Sequence, residues 1–275
     1  MSEKQVLRNN EFKFNKNFGQ NFIFDKNLLN AIVKDSGITK DEEVLEIGPG
    51  AGTLTRAIAE NCKKVISYEI DTNLKPILEE NLKGLTNSQI VFKDALKEDL
   101  KNIESNFDNE YHVIANLPYY ITTPLIFKFV GKTDKVKTLC VMVQKEVGER
   151  FIAKQKDDNY GAISVILDFY GDVKILRQVN RKMFTPVPNV DSCIIQITLK
   201  KNKFDVDCEL FEEIVKSAFA NRRKTLANNL SVTFKKSKQN IFAFLEGLGF
   251  NPQVRGDALS TLDFVTIAKN FDKLV

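Results

Sequence analysis

The sequence predicts an α/β fold with a mostly parallel sheet, an antiparallel final strand and a small all-helical domain at the C-terminal end. Three observations carry this. Short apolar runs alternate with helical periodicity between residues 25 and 170 without hairpin turns, so the strands need crossover connections and both sheet faces are covered. A glycine-rich turn, Gly48-Pro49-Gly50-Ala51-Gly52, leads from one such run into the helix that follows. After Lys200-Lys201-Asn202-Lys203 the pattern becomes helical throughout, which places a domain boundary near residue 203 and predicts domains 1–203 and 204–275.

The elements follow in order. Asp25 caps a helix carrying Leu28, Leu29, Ile32 and Val33, and Gly37 ends it. Val44 to Ile47 is a strand, the glycine turn follows, and Leu54, Ala57 and Ile58 mark a helix. Val65 to Glu69 reads as a strand, Leu74 to Leu82 as a helix, Gln89 to Phe92 and Val113 to Ala115 as strands. Pro124 to Val130 is a helix opened by its proline, and Thr138 to Val143 a strand. Lys145 to Lys154 and Ala162 to Tyr170 are helical. Val173 to Leu176 and Cys193 to Ile197 are β-rich with no helix between them and pair as the antiparallel ending, with 180–192 as their loop. Helices are expected from Leu210 to Ala220, Lys224 to Leu230, Gln239 to Leu248 and Leu262 to Phe271, the last opened by a capping box from Ser260.

Composition narrows the function. With 43% apolar and 28% charged residues in 275, the chain is an ordinary folded protein. No apolar run approaches the about 18–20 residues that cross a bilayer. Met1-Ser2-Glu3-Lys4 lacks the apolar stretch of a secretory signal, so a cytoplasmic location is expected. Cys62, Cys140, Cys193 and Cys208 form no CxxC pair, and the single histidine, His112, lies in an apolar strand as a packing residue; no metal is expected. The net charge of +4 is mild, but Arg181-Lys182, Lys200-Lys201-Asn202-Lys203, Arg222-Arg223-Lys224, Lys235-Lys236-Ser237-Lys238 and an N-terminal arm with Lys4, Arg8, Lys13, Lys16 and Lys26 are candidates for a phosphate footprint.

The chemistry gathers at strand ends. The glycine turn differs from the dinucleotide fingerprint GxGxxG: Gly52 comes one place early and Thr53 holds the third position. That spacing suits a nucleoside cofactor without pyrophosphate. Glu69 ends the second strand, where its carboxylate can accept ribose hydroxyls, and Asp94 follows the third, within reach of an adenine amino group. Such acids occur in folds that bind NAD and in folds that bind S-adenosylmethionine (SAM). The fourth strand ends at Asn116-Leu117-Pro118-Tyr119. An exocyclic base amine is a poor nucleophile because its lone pair is delocalised into the ring. An amide oxygen from Asn116 and the Leu117 carbonyl would accept its two hydrogens and turn the lone pair out of the ring plane. Pro118 stiffens the turn, and Tyr119 offers a flat face to the base, worth about 1–3 kcal/mol.

With these residues in place the chain resembles the ribosomal RNA adenine N6-dimethyltransferases, specifically the KsgA-type small-subunit enzymes. Asn17 to Phe22 carries the GQNF motif, Val44 to Gly52 the SAM motif, Asn116 to Tyr119 the NLPY motif and Phe184 to Ser192 the FxPxPxVDS motif. Phe219 to Leu226 matches the basic helix that opens the second domain. The resemblance covers nearly the whole chain and implies a Rossmann-like, SAM-dependent methyltransferase domain with a helical RNA-binding domain. It implies two methyl transfers to each of two adjacent adenines in the 3′-terminal hairpin loop of small-subunit rRNA, within a small-subunit precursor, with S-adenosylhomocysteine as coproduct. Asn21, Ile23, Gly48, Gly50, Glu69, Asp94 and Asn116 would contact or border the cofactor, although Ile23 stands where leucine is more usual. Phe184, at the tip of the 180–192 loop, would stack on the base opposite Tyr119, and Arg222, Arg223 and Lys224 would meet RNA. A monomer is expected. The rival readings are an Erm-type large-subunit rRNA methyltransferase, a non-catalytic ribosome assembly factor on the same fold and, by class, an NAD oxidoreductase.

Overall fold

The computed structural model describes residues 5–7, 12, 19–201 and 204–271. Its contacts divide the chain into two compact units, one of residues 1–148 with 174–199 and one of 149–173 with 200–275.

The first unit is built on a sheet. Strands β2 (Glu43–Ile47), β3 (Lys64–Glu69), β4 (Ser88–Phe92), β5 (Tyr111–Asn116) and β6 (Val136–Gln144) run parallel, and β9 (Ser192–Leu199) runs antiparallel to β6. With β7 (Gly171–Val179) at the edge beside β9, the order is 4-3-2-5-6-9-7. β2, in the middle of the parallel part, is buried along its whole length. Helices α1 (Lys26–Ser36), α2 (Thr53–Ala59), α3 (Lys75–Asn81), α4 (Leu100–Glu104) and α5 (Tyr119–Phe129) fall between the strands in sequence. Leu29, Ile32 and Val33 of α1 and Leu54 and Ile58 of α2 share one core cluster with Val44, Val65 and Ile114 of the strands. Burying a side chain such as Ile58 or Val44 contributes about 1.5–3 kcal/mol.

The local signals act as physical chemistry requires. Asp25 accepts the Leu28 N–H at 2.9 Å to start α1, and Gly37, at φ 75°, closes it in the left-handed conformation that glycine adopts without strain. α5 differs from expectation. Pro124 was read as the first residue of this helix, but the helix begins at Tyr119, immediately after Pro118, and Pro124 lies inside it. Two short strands, β1 (Phe22–Ile23) and β8 (Phe184–Thr185), pair antiparallel as a separate ribbon in the 180–192 loop region.

The second unit contains α7 (Ala162–Tyr170), α8 (Cys208–Ala218), α9 (Leu226–Phe234), α10 (Lys238–Gly247) and α11 (Thr261–Asn270), with α6 (Lys145–Ile152) spanning the first division at 148. Phe211, Phe264, Leu226 and Leu245 are fully buried. The capping box of α11 is closed by Ser260 Oγ accepting the Asp263 N–H and Asp263 Oδ2 accepting the Ser260 N–H at 2.8 Å. Arg222, Arg223 and Lys224 lie in the turn before α9 and not on a helix: Thr225 is the residue that caps α9.

Candidate active site

Parallel strands β2, β3, β4 and β5 end at the same edge, and a cavity of about 270 Å³ opens there. The glycine turn forms its floor. Gly50 has φ 55°, and a Cβ there would lie 2.7 Å from the Phe22 ring, so the backbone and the aromatic ring can approach only because the side chain is a hydrogen. A Cβ at Gly48 would lie 3.7 Å from the main-chain carbonyl of Asn116 and 3.7 Å from the Leu117 side chain. The turn is tied to the next strand by the Gly50 N–H, which Glu69 Oε2 accepts at 3.1 Å.

Glu69 is buried and held by main chain. Its Oε1 accepts the N–H groups of Ile70 and Asp71 at 2.8 and 2.9 Å. Three of about four acceptor positions of the carboxylate are thus filled by backbone, and the remaining capacity suits a hydroxyl in the cavity. Burial raises its pKa, and the three backbone donors oppose that. Asp94 lines the same cavity, with Oδ1 accepting the Leu96 N–H at 3.0 Å. An acid facing each end of a nucleoside, a floor that a Cβ would fill and apolar walls between them fit a nucleoside-bearing cofactor.

Asn116 ends β5 inside the cavity, and Leu117 and Pro118 line it beyond. Asn116 Nδ2 donates to the main-chain carbonyl of Asn21 at 3.2 Å. Ile23, also lining the cavity, has its carbonyl oxygen on Thr53 Oγ1 at 2.8 Å. The cavity therefore brings together Asn21, Ile23, Gly48, Gly50, Glu69, Asp94, Asn116 and Leu117.

It does not bring in the two expected aromatic faces. Tyr119 is absent from the cavity lining; its hydroxyl is 2.8 Å from Ser192 Oγ, and burial raises its pKa. Its neighbour Tyr120, 63% exposed, lines the cavity instead, together with Phe22 and Tyr68. Phe184 differs from its expected position at a loop tip. It is 2% exposed, pairs with Ile23 in the small ribbon and packs in the core cluster with Leu29 and Ile32, so as placed its ring presents no face to the cavity. Of the basic residues, Arg222 has its guanidinium on the carbonyls of Asp158 and Tyr160, at 3.2 and 2.9 Å, within the second unit, and Arg223 and Lys224 are exposed.

Two residues were missed by the sequence reading. Gln20 lines the cavity and donates to Asp71 Oδ2 at 2.8 Å. Glu46, fully buried in β2, accepts from Thr55 Oγ1 at 2.6 Å and Ser67 Oγ at 2.7 Å, and desolvation pushes its carboxyl up to about 7. The signal for Glu46 was available: an acid inside Val44-Leu45-Glu46-Ile47, immediately before the glycine turn. Among the described residues no group of His, Cys, Asp and Glu is arranged to hold a metal, and no helix is long and apolar enough to cross a membrane.

A Rossmann-like sheet with an amide beside a nucleoside crevice defines the class as methyltransferases that act on an amine of a base, and the comparisons with known proteins specify it. The family model for ribosomal RNA adenine dimethylase matches residues 11–273, and the chain belongs to that family. It is 40% identical over 275 residues to the ribosomal RNA small subunit methyltransferase A of Oceanobacillus iheyensis, covering 98% of this chain and 94% of that one. The protein of the same name from Clostridium botulinum is 42% identical, with 96% of each chain covered. Among solved structures, a dimethyladenosine transferase from Plasmodium falciparum superposes with a TM-score of 0.80 at 27% identity, over 92% of this chain and 98% of that one. The 23S rRNA methyltransferase ErmE superposes at 0.69 with 23% identity, over 92% and 100%, a likeness of fold. The protein is an enzyme, a methyltransferase of the rRNA adenine dimethylase type.

Proposed function

We propose that this chain dimethylates N6 of two adjacent adenines in the 3′-terminal hairpin loop of small-subunit rRNA, acting on a small-subunit precursor in the cytoplasm as a monomer. The curated relatives named for the small subunit, at about 40% identity over nearly the whole chain, support the small-subunit over the large-subunit reading. The observation that carries the chemistry is Asn116: its amide stands in the cavity beside the glycine turn, with its nitrogen already committed to the Asn21 carbonyl.

S-adenosylmethionine, when bound, supplies the electrophilic methyl group on a sulfonium. Glu69, Asp94 and the Gly48–Gly52 turn would hold it, Glu69 accepting a ribose hydroxyl and Asp94 the adenine amino group. Asn116 Oδ1 and the Leu117 carbonyl accept the two N6 hydrogens of the target adenine and direct the nitrogen lone pair out of the ring plane. As the N6–methyl bond forms the sulfur–methyl bond breaks, S-adenosylhomocysteine leaves, and the cationic methylated amine sheds one proton to nearby acceptors or water, so that alignment would supply most of the acceleration with no dedicated base. Tyr119 supplies a stacking face once the base enters. The second unit, with Arg223 and Lys224 exposed, contacts the RNA backbone.

The test is Asn116→Ala. Methylation of small-subunit particles, read by mass spectrometry of the rRNA, should be abolished while calorimetry shows SAM still binding. Wild-type turnover would refute the assigned role. Methylation mapped to large-subunit rRNA instead would overturn the substrate assignment.

A further inference from the structure

The catalytic reading uses Asn116 as an acceptor, and an amide can face either way. What sets its orientation is the segment Gly19–Ile23. The Asn21 carbonyl can only accept, so the group 3.2 Å from it must be the Asn116 NH₂, and Oδ1 is left as the acceptor atom of the amide. The position of that carbonyl therefore decides what Asn116 can do.

The segment is anchored at both ends. At the far end, Thr53 Oγ1 at the start of α2 donates to the Ile23 carbonyl at 2.8 Å. At the near end, the anchor is Gln20 Nε2 on Asp71 Oδ2, at 2.8 Å. Asp71 is 3% exposed and fixed in turn. Its Oδ1 accepts from the N–H and the side-chain amide of Asn73, at 3.1 and 2.9 Å, and its own N–H is held by Glu69 Oε1 at 2.9 Å. A chain of hydrogen bonds thus runs from the acid Glu69 through Asp71 and Gln20 to the segment that orients Asn116.

We propose that Gln20 is a positioning residue for methyl transfer: its bond to Asp71 holds the Asn21 carbonyl where it fixes Asn116 with the amide oxygen toward the base. The inference rests on the acceptor role given to Asn116. It also makes Gln20 and Asp71 a pair whose bond can be reversed. Asp71 Oδ2 takes a hydrogen from Gln20, while Oδ1 serves Asn73. In the double variant Gln20→Glu/Asp71→Asn the direction of the 20–71 bond inverts, with Oδ1 of residue 71 still accepting from Asn73.

The experiment measures single-turnover methylation of small-subunit particles at saturating SAM, the SAM Kd by calorimetry and the melting temperature. Gln20→Glu sets two carboxylates together and should slow methyl transfer about tenfold or more, with the SAM Kd within about threefold of wild type. Gln20→Ala, which cannot repel, should be slowed by a smaller factor. The double variant should recover to within about threefold of the wild-type rate. A Gln20→Glu enzyme at wild-type rate overturns the proposal, as does a double variant no faster than that single variant. A loss that vanishes at saturating SAM while the Kd rises also overturns it, since Gln20 would then serve the cofactor. Failure of the underlying reading shows separately, as wild-type activity in Asn116→Ala.

Discussion

The two ends of the sheet hold similar polar residues in opposite ways. At the N-terminal ends of β5 and β6, side chains meet side chains, although Glu42 also accepts the main-chain N–H of Thr39 at 2.9 Å. Lys137 bonds Glu42 at 2.7 Å, His112 Nε2 lies 3.0 Å from the same carboxylate, and His112 Nδ1 is 2.7 Å from Thr138 Oγ1. At the C-terminal ends the partners are main chain: three N–H groups on Glu69, one on Asp94 and a carbonyl on Asn116. A polar side chain whose partners are other side chains is used up by the fold. One held from behind by backbone keeps its outer atoms for a ligand, without having to be reoriented when that ligand arrives. The same sheet is thus closed at one end and receptive at the other.

The comparison breaks if changes at the two ends have like effects. The largest expected effect is at Asn116. Removing its amide should lower methyl transfer by about 10²–10³-fold, as for loss of a preorganised polar contact, and leave the melting temperature nearly unchanged. Next comes Glu69→Ala. Loss of a charged hydrogen-bond partner should weaken SAM binding about 10–100-fold by calorimetry. If Glu69→Ala bound SAM as wild type does, the receptive end would have to lie elsewhere. Smaller still is Tyr119→Phe, which keeps the stacking face and loses the Ser192 bond, costing about 1 kcal/mol of stability with most of the activity retained. Tyr119→Ala should lose activity. Equal inactivity of both variants would mean that the hydroxyl, and not the ring, is what the reaction needs.

The closed end predicts the converse. His112 is buried, with Nδ1 bonded to Thr138 and Nε2 3.0 Å from Glu42 Oε1, and His112→Ala should lower unfolding free energy by about 2–3 kcal/mol while turnover of the folded enzyme stays at wild type. A fall in turnover without a fall in stability would place chemistry at the wrong end of the sheet.

Legibility in the sequence followed the same division. The parallel strands, the glycine turn, Glu69, Asp94 and Asn116 were readable because each is marked by local pattern: an apolar run, then a polar residue at its end. What was not readable depends on partners distant in the chain. β1 and β8 have two residues each, too few for any periodicity, and are defined by each other across some 160 positions of sequence. The Asn21 carbonyl that orients Asn116 is main chain and carries no residue signature, and Asn116 lies 95 positions away. Phe184 reads as a loop-tip ring because it lies in the 180–192 stretch between two β-rich runs, yet pairing with Ile23 turns it into the core. Pro124 misled for a local reason: proline is favoured in the first turn of a helix, and here it is tolerated deeper inside.

Glu46 gives the finest test. It is buried one residue short of the C-terminal end of β2, and two hydroxyls share its Oε2. Desolvation, opposed by those hydroxyls and reinforced by the nearby charge of Glu69, pushes its carboxyl from 4.5 up to about 7. A folded-state pKa above the unfolded one means that the folded protein binds more proton between these values. The stability this group contributes is therefore complete below pH 4.5 and is lost as pH rises through 7. Between pH 5 and 7 the loss is about 2 kcal/mol, at 1.36 kcal/mol for each unit of fully developed shift. Glu69, also raised, adds a slope of the same sign, so the wild-type curve alone does not isolate Glu46. The difference between wild type and Glu46→Gln does. The amide oxygen can take the Thr55 and Ser67 hydrogens, and the amide carries no charge at any pH in this range. Its own cost of burial is constant, so whatever the variant's stability at pH 5, it must fall less steeply from pH 5 to 7 in urea unfolding. Parallel curves would mean that Glu46 is ionised in the folded enzyme. The sheet would then hold a buried charge directly beneath the glycine turn, and the separation between a closed and a receptive end would have to be redrawn to include it.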